Sequence, residues 1–216
     1  MEDTVLFHHP CNLFISGPSG SGKTQWVKKL IEYKDELFDI IPERVTWCYK
    51  EWQSAYASLK ETMPTIRFIE GIPENEEDIV DDISQPHLVI FDDMLGEKDE
   101  EHIKLWFTRK GHHRNASVIY ITQNLFQQSK ASRTLSLNAH YMILFQNFRD
   151  KGQIKTLATQ TQLPHLLPAY EDAISRTHGY LIIDFHSKTP EMYRLRTDVF
   201  HRWRTADERG PVVYTR

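Results

Sequence analysis

The residues with the clearest chemistry form one continuous segment near the N-terminus. They are Gly17, Pro18, Ser19, Gly20, Ser21, Gly22, Lys23 and Thr24, and their order fits the spacing G-x-x-x-x-G-K-[ST]. Glycines let the backbone approach an anion and turn its N–H groups toward it. The lysine ammonium can reach the β and γ phosphates of a nucleotide, and the threonine hydroxyl can ligate Mg²⁺. The segment therefore predicts a phosphate-binding loop for ATP and Mg²⁺.

A pair of carboxylates, Asp92 and Asp93, directly follows the apolar run Leu88-Val-Ile-Phe. A buried strand of this kind delivers polar residues to the carboxyl edge of the sheet, where open α/β sheets bind ligands. We expect Asp92 to hold the Mg²⁺ shell and Asp93 to polarise the water that attacks the γ-phosphate. Since Asp is one methylene shorter than Glu, the Asp93 carboxylate must be brought closer by the backbone or act through another water.

A third apolar run, Val118-Ile-Tyr-Ile-Thr, ends in the amides Gln123 and Asn124. An amide at the same edge can donate to a γ-phosphate and accept from the attacking water. Gln123 is the predicted sensor of the bound nucleotide.

Short β-rich runs alternate with segments of helical period, which is typical of a parallel sheet covered by helices. The helix after the phosphate loop is expected over Lys23 to Tyr33, another over Asp99 to Thr108, and two more near Asp150 to Thr161 and Pro168 to Thr177. The predicted strands are Asn12 to Ser16, Arg44 to Tyr49, Thr65 to Ile69, His87 to Asp92, Ser117 to Thr122, Tyr141 to Gln146 and Tyr180 to Phe185.

The predicted fold class is α/β, a three-layer P-loop NTPase sandwich of the additional-strand class. Its central sheet is mainly parallel, and the runs LVIF, VIYI and MILF should form the sheet centre because they are apolar without alternation. The last strand and an alternating segment over Met192 to Val199 predict a C-terminal β-hairpin.

The 216 residues predict one domain, with a core over about 11–187 and an extension over about 188–216. Acids stand where a signal peptide needs positive charge, and no apolar run approaches the roughly 20 residues of a membrane span. We expect an intracellular protein that is neither secreted nor membrane-bound. Cys11 and Cys48 lack metal-ligand spacing and predict buried free thiols.

Charge is segregated along the chain. Residues 70–101 contain 13 acids and one lysine, whereas residues 109–156 contain eight basic residues and one acid. A solvated surface is the simple interpretation of the acidic block. The basic block can bind a phosphate backbone without base readout, which would make binding independent of sequence and sensitive to salt. Its candidate contacts are Lys130, Arg133, Arg149, Lys151 and Lys155.

Several blocks of the chain, in order, resemble one family. The phosphate loop, LVIFDDM, TRKGHHRNASVIYITQNLF, SRTLSLNAHYMILFQN and RDKGQI are similar to the genome-packaging ATPases of large eukaryotic DNA viruses and Maverick/Polinton virus-like transposons. These enzymes belong to the FtsK/HerA superfamily, and the acid pair resembles their poxvirus-type branch. The resemblance covers about Cys11 to Val199.

The resemblance implies an ATPase that pulls double-stranded DNA into a preformed capsid, as a homo-oligomeric ring with capsid or portal proteins as partners. It implies a location in the host cytoplasm or nucleus, or in the virion. It assigns the loop pair to Lys23 and Thr24, the magnesium acid to Asp92, the water-activating acid to Asp93 and the sensor to Gln123. A ring motor also requires an arginine from the neighbouring subunit. The candidates are Arg109 and Arg114, ranked first because they lie between the acid pair and the sensor strand, and Arg133.

Two other functions are compatible with the phosphate loop. GPSGSGKT also resembles the loop of guanylate kinases, which would make the protein a small-molecule kinase, although no arginine-rich lid is evident. A nucleotide-dependent scaffold that hydrolyses ATP very slowly is the third hypothesis.

Overall fold

The computed structural model describes residues 7–94, 96–125, 130–147, 151–163, 165–200 and 212–215. Nine strands in these ranges form one sheet, in the order β3-β2-β4-β5-β1-β6-β7-β8-β9. The strands are β1 Asn12–Ser16, β2 Arg44–Tyr49, β3 Arg67–Glu70, β4 His87–Asp92, β5 Ala116–Thr122, β6 Tyr141–Phe145, β7 Tyr180–Asp184, β8 Leu195–Thr197 and β9 Val212–Val213.

Helices connect the strands and cover the sheet. They are α1 Lys23–Glu32, α2 Lys34–Leu37, α3 Ser54–Thr62, α4 Glu97–Leu105, α5 Gly111–His113, α6 Lys130–Leu137, α7 Lys151–Thr161 and α8 Leu166–Ala173. A π-helical turn, Trp106–Lys110, joins α4 to α5, and two 3₁₀ turns lie at Glu76–Asp78 and Glu191–Tyr193. None of the helices in the ranges described above is long and apolar enough to cross a membrane.

The predicted fold class is confirmed. Strands β1 to β6 pair in parallel, while β7, β8 and β9 are antiparallel to their neighbours. Strand β5 lies between β1, which leads into the phosphate loop, and β4, which carries the acid pair. This inserted strand is the feature that defines the additional-strand class of P-loop NTPases.

The three apolar runs lie in β4, β5 and β6, at the centre of the sheet as predicted. Their side chains alternate between two separate cores: Leu88 and Ile90 pack on one face, and Val89 and Phe91 on the other. Because helices cover both faces, neither face selects polar residues, which explains why the runs do not alternate.

Several element boundaries differ from those predicted. The helix predicted over Asp99 to Thr108 begins at Glu97, and its regular part ends at Leu105, where the π turn starts. The helix predicted to start at Pro168 begins two residues earlier, since proline is tolerated in the first turn of a helix. The second strand of the C-terminal hairpin is only Leu195–Thr197 and is preceded by a 3₁₀ turn.

The acidic and basic blocks contact each other. Glu76, at the start of a 3₁₀ turn, lies 3.2 Å from the Lys110 ammonium and 3.0 Å from Nε of Arg114. Hydrogen bonds and ion pairs with these two cations lower the pKa of Glu76 against the opposing effect of its partial burial. Part of each block therefore neutralises the other instead of facing an external partner.

Candidate nucleotide site

The phosphate loop links β1 to α1 at the carboxyl edge of the sheet. Gly20 and Gly22 have φ angles of 76° and 106°, a region that favours glycine. Gly17 is required for a different reason: a Cβ there would lie 2.6 Å from the Cβ of Phe145 on β6. The loop thus combines a left-handed turn with a close approach to the neighbouring strand. The first turn of α1 directs its N–H groups toward the loop.

Lys23 lies inside this loop. Its ammonium donates to the carbonyl oxygens of Gly17, at 2.6 Å, and Pro18, at 3.0 Å. Burial lowers the pKa of Lys23, and the carboxylates of Asp92 and Asp93 partly oppose the shift. The loop's own carbonyls thus hold the ammonium where a phosphate oxygen could replace them.

Asp92 ends β4 and is only 3% exposed. Burial raises its pKa to about 6; the hydrogen bond from Tyr56 and the charge of Lys23 lower it, and the neighbouring Asp93 raises it. The Tyr56 hydroxyl donates to one Asp92 oxygen at 2.8 Å, and Tyr56 is itself fully buried on α3. The hydrogen bond orients this carboxylate, which needs a cation to offset its burial.

Asp93 has a φ angle of 53°, a left-handed conformation that Asp tolerates better than most residues. One of its oxygens accepts a hydrogen bond of 3.2 Å from the Gln123 amide. Because β4 and β5 are adjacent, the residues that follow them meet at the sheet edge. The left-handed backbone conformation of Asp93 places its short side chain within hydrogen-bonding distance of the Gln123 amide.

One cleft of about 290 Å³ brings the predicted groups together. Its lining includes Lys23, Thr24, Asp92, Asp93 and Gln123. The residues fit a magnesium nucleotide: the loop has open space above Gly20, the Ser21 hydroxyl is buried without a hydrogen-bond partner in the described chain, and Lys23 lines the same cleft as both carboxylates. Thr24 and Asp92 could hold the metal, and Lys23 and the loop N–H groups the phosphates.

The three arginine candidates do not line this cleft. Arg109 and Arg114 precede β5, at the opposite edge of the sheet, where Asn12 at the start of β1 donates to the Phe107 carbonyl. Arg114 is bound to Glu76 and lies 3.8 Å from Glu77, whereas Arg109 is exposed. Arg133 is exposed on α6.

Two residues of the site have no signal in the sequence. Tyr56 reaches Asp92 from α3, a helix that was not predicted, and its spacing from the acid pair matches no motif. His178 precedes β7 and lines the cleft from beyond the phosphate loop. Both positions depend on how distant segments pack.

The structure describes three of the five candidate DNA-contacting side chains. Lys130, Arg133 and Lys155 are exposed on α6 and α7. Arg149 and the side chain of Lys151 lie outside the described residues.

No protein-family model matches the sequence, and no curated protein matches it. Among solved structures, ATPases 2 and 3 of EssC from Geobacillus thermodenitrificans match with a TM-score of 0.48 and 13% identity, over 68% of this chain and 34% of that chain. The cytoplasmic domain of EssC gives 0.46 and 13%, over 68% and 35%. A KaiC-like protein from Pyrococcus horikoshii gives 0.49 and 12%, over 95% and 90%.

This chain spans about a third of the length of the EssC chains that it matches. Likenesses this distant carry no argument about activity. The strand order and the phosphate loop of this chain themselves define it as a P-loop NTPase fold.

Proposed function

We propose that this chain is an ATP-hydrolysing motor subunit that translocates double-stranded DNA, of the genome-packaging type. The observation that carries ATP hydrolysis is the single cleft lined by Lys23, Asp92, Asp93 and Gln123. A phosphate-binding loop facing a buried acid, a second acid and an amide is the set of groups that phosphoryl transfer to water requires.

Each group has a distinct task in hydrolysis. Lys23 would exchange its loop carbonyls for phosphate oxygens, and Asp92, oriented by Tyr56, would hold the metal. Bound Mg²⁺ would neutralise charge on the β and γ phosphates. Asp93 accepts a proton from the attacking water, and Gln123 orients the Asp93 carboxylate through its hydrogen bond.

The described lining of the cleft includes lysine and histidine but no arginine. An arginine from a neighbouring subunit could add to Lys23 in stabilising the charge that develops on the phosphates during hydrolysis. This supports the proposal of a ring with sites completed between subunits. Of the two arginines that precede β5, Arg109 is the better candidate because it is exposed, whereas Arg114 is engaged by Glu76.

Double-stranded DNA as the substrate is supported by the resemblance to packaging ATPases and by the exposed cations of α6 and α7. Lys130 and Arg133 lie on the helix that follows the sensor strand β5, and Lys155 lies on α7. A motor needs contacts that bind phosphates without reading bases, and exposed lysine and arginine suffice.

The test is the ATPase rate of the purified full chain with and without double-stranded DNA of unrelated sequences. We expect DNA to increase the rate severalfold, equally for each sequence, and added salt to remove the increase. Lys23→Ala should abolish productive ATP binding, and Asp93→Asn should slow hydrolysis by about 100-fold while ATP still binds.

A control separates the DNA contacts from the catalytic groups. Lys130→Ala combined with Lys155→Ala should reduce stimulation by DNA and leave the rate without DNA unchanged. The DNA proposal is overturned if DNA has no effect at any protein concentration. Phosphate transfer to GMP, with no effect of DNA, would instead identify a small-molecule kinase.

A further inference from the structure

A second cleft lies beside the phosphate loop. One wall is the loop, over residues 18–21, and the other is the turn of residues 174–179 between α8 and β7. Gln146, just after β6, also lines it. His178 borders both this cleft and the one that contains the acid pair, so the two openings meet at its side chain.

The order of the strands indicates which cleft is on the phosphate side of the nucleotide and which is on the nucleoside side. The acid pair and Gln123 follow β4 and β5, which lie on one side of β1. The second cleft lies on the other side of β1, where β6 and β7 end and begin. A triphosphate whose terminal phosphate faces the acid pair therefore has its nucleoside on the side of the second cleft.

The turn that forms the far wall is tightly built. Gly179 passes so close to α8 that a Cβ would lie 2.2 Å from the Ala173 carbonyl oxygen. The Gly179 N–H donates to the Arg176 carbonyl at 3.0 Å, and the Arg176 guanidinium is paired with Asp198. The wall is thus held by its own backbone and by an ion pair.

Aromatic packing then fixes the turn against the phosphate-loop side of the sheet. The ring of Tyr180, the first residue of β7, lies 5.8 Å from that of Trp26 on α1 and 5.6 Å from that of Phe145 on β6. Tyr180 is 7% exposed. Because Phe145 also contacts Gly17, the loop and the turn share one packed neighbour.

His178 lies at the tip of this wall. Its Nδ1 donates to the Ser21 carbonyl at 3.2 Å, and a Cβ on Gly22 would be 3.3 Å from its side chain. Its φ angle is 57°, an unfavourable region for a residue with a side chain, which the surrounding contacts impose. His178 is nevertheless exposed and lines both clefts.

We propose that the second cleft is the nucleoside subsite and that the base stacks on the His178 imidazole. This inference rests on the proposed nucleotide-binding function and adds the residue that contacts the base. An exposed aromatic ring beside a phosphate site can stack on any base. The stacked ring therefore contributes affinity for ATP that a ligand with the phosphates alone does not gain.

The experiment compares ATP with inorganic tripolyphosphate, which has the phosphates and no nucleoside. Calorimetric titration of the full chain with each ligand, in the presence of Mg²⁺, gives two dissociation constants. His178→Asn removes the ring, and Asn tolerates positive φ. His178→Phe keeps a ring that can stack but cannot bond to Ser21, and His113→Ala is an exposed control remote from the clefts.

We expect His178→Asn to weaken ATP binding about fivefold or more beyond any change in tripolyphosphate binding, which is the loss of one stacked ring. His178→Phe should keep the preference for ATP. The inference is overturned if His178→Asn leaves the ratio of the two constants as in the wild type, including an equal loss for both ligands, which would mean that His178 only supports the loop. If the wild type binds neither ligand, the proposed function itself fails.

Discussion

Asp92 is a buried carboxyl group whose charged form the surrounding protein stabilises only in part. The carboxylate is buried at the end of a central strand, and its raised pKa, about 6, reports the cost of that burial. Tyr56 and Lys23 offset part of the cost. A residue positioned for a metal in this way should destabilise the metal-free protein at neutral pH.

The pH dependence of stability tests this directly. The folded protein keeps the Asp92 proton up to about pH 6, whereas the unfolded chain releases it near 3.8, so this group lowers the free energy of unfolding as pH rises between those values. Asp92→Asn should therefore be more stable than the wild type above pH 6, by up to about 3 kcal/mol. The advantage should vanish below about pH 4.

Urea denaturation of the metal-free protein from pH 4 to pH 8 measures the difference. Glu61→Gln, which removes an exposed carboxyl on α3, controls for the general effect of losing a negative charge. A constant difference between Asp92→Asn and the wild type across this range would contradict the assigned burial.

At the scale of elements, parallel pairing brings the ends of β1, β4 and β5 to one edge. Each strand contributes a different group there: the loop, the acid pair and the amide. The approach of β1 to β6 is so close at Gly17 that no side chain fits. The phosphate loop is therefore shaped by the neighbouring strand as well as by its own glycines.

Gly17→Ala should destabilise the protein and weaken ATP binding together. The added methyl group would contact Phe145 and the Ser21 hydroxyl, and overpacking of this kind costs about 1–3 kcal/mol. Thermal unfolding and ATP titration measure the two effects. Gly152→Ala, at an exposed position of α7, is the matched control and should be neutral or slightly stabilising, because alanine favours helices. Equal behaviour of the two variants would refute the close approach.

At the scale of the whole molecule, the nucleotide cleft must be compared in position with the arginines that could complete it. The cleft occupies the carboxyl edge, and Arg109 and Arg114 lie at the other edge, so one chain does not bring either arginine to its own site. In a closed ring, however, the edge of one subunit can face the site of the next. Shared sites would make each subunit depend on its neighbour.

Mixing inactive variants tests a shared site. Lys23→Ala and Arg109→Ala should each be inactive alone, and a one-to-one mixture should regain about a quarter of the sites in a closed ring, because some intact loops then face an intact arginine. The ATPase rate of the mixture is the measurement. Arg114→Ala should instead reduce stability by breaking the contact with Glu76. No recovery in any mixture with Lys23→Ala would mean that the site lies within one subunit.

Local patterns were enough to locate the phosphate loop, the central strands and the residues that emerge at their ends. A glycine-rich loop between an apolar run and a helical period needs only neighbouring residues to be recognised. Runs such as Leu88 to Phe91 indicate a strand buried on both faces, and β4 has the predicted bounds. The end of such a strand fixes where Asp92 and Asp93 emerge, whatever the distant residues are.

Contacts between residues that are far apart in the sequence cannot be predicted from such local patterns. Tyr56 meets Asp92, and His178 meets Ser21, only because α3 and the turn before β7 pack at the same edge of the sheet. The pairing of Glu76 with Arg114 likewise joins the acidic and basic blocks, which are separate along the chain. Such contacts depend on the free energy of packing the whole sheet and its helices, which no short segment encodes.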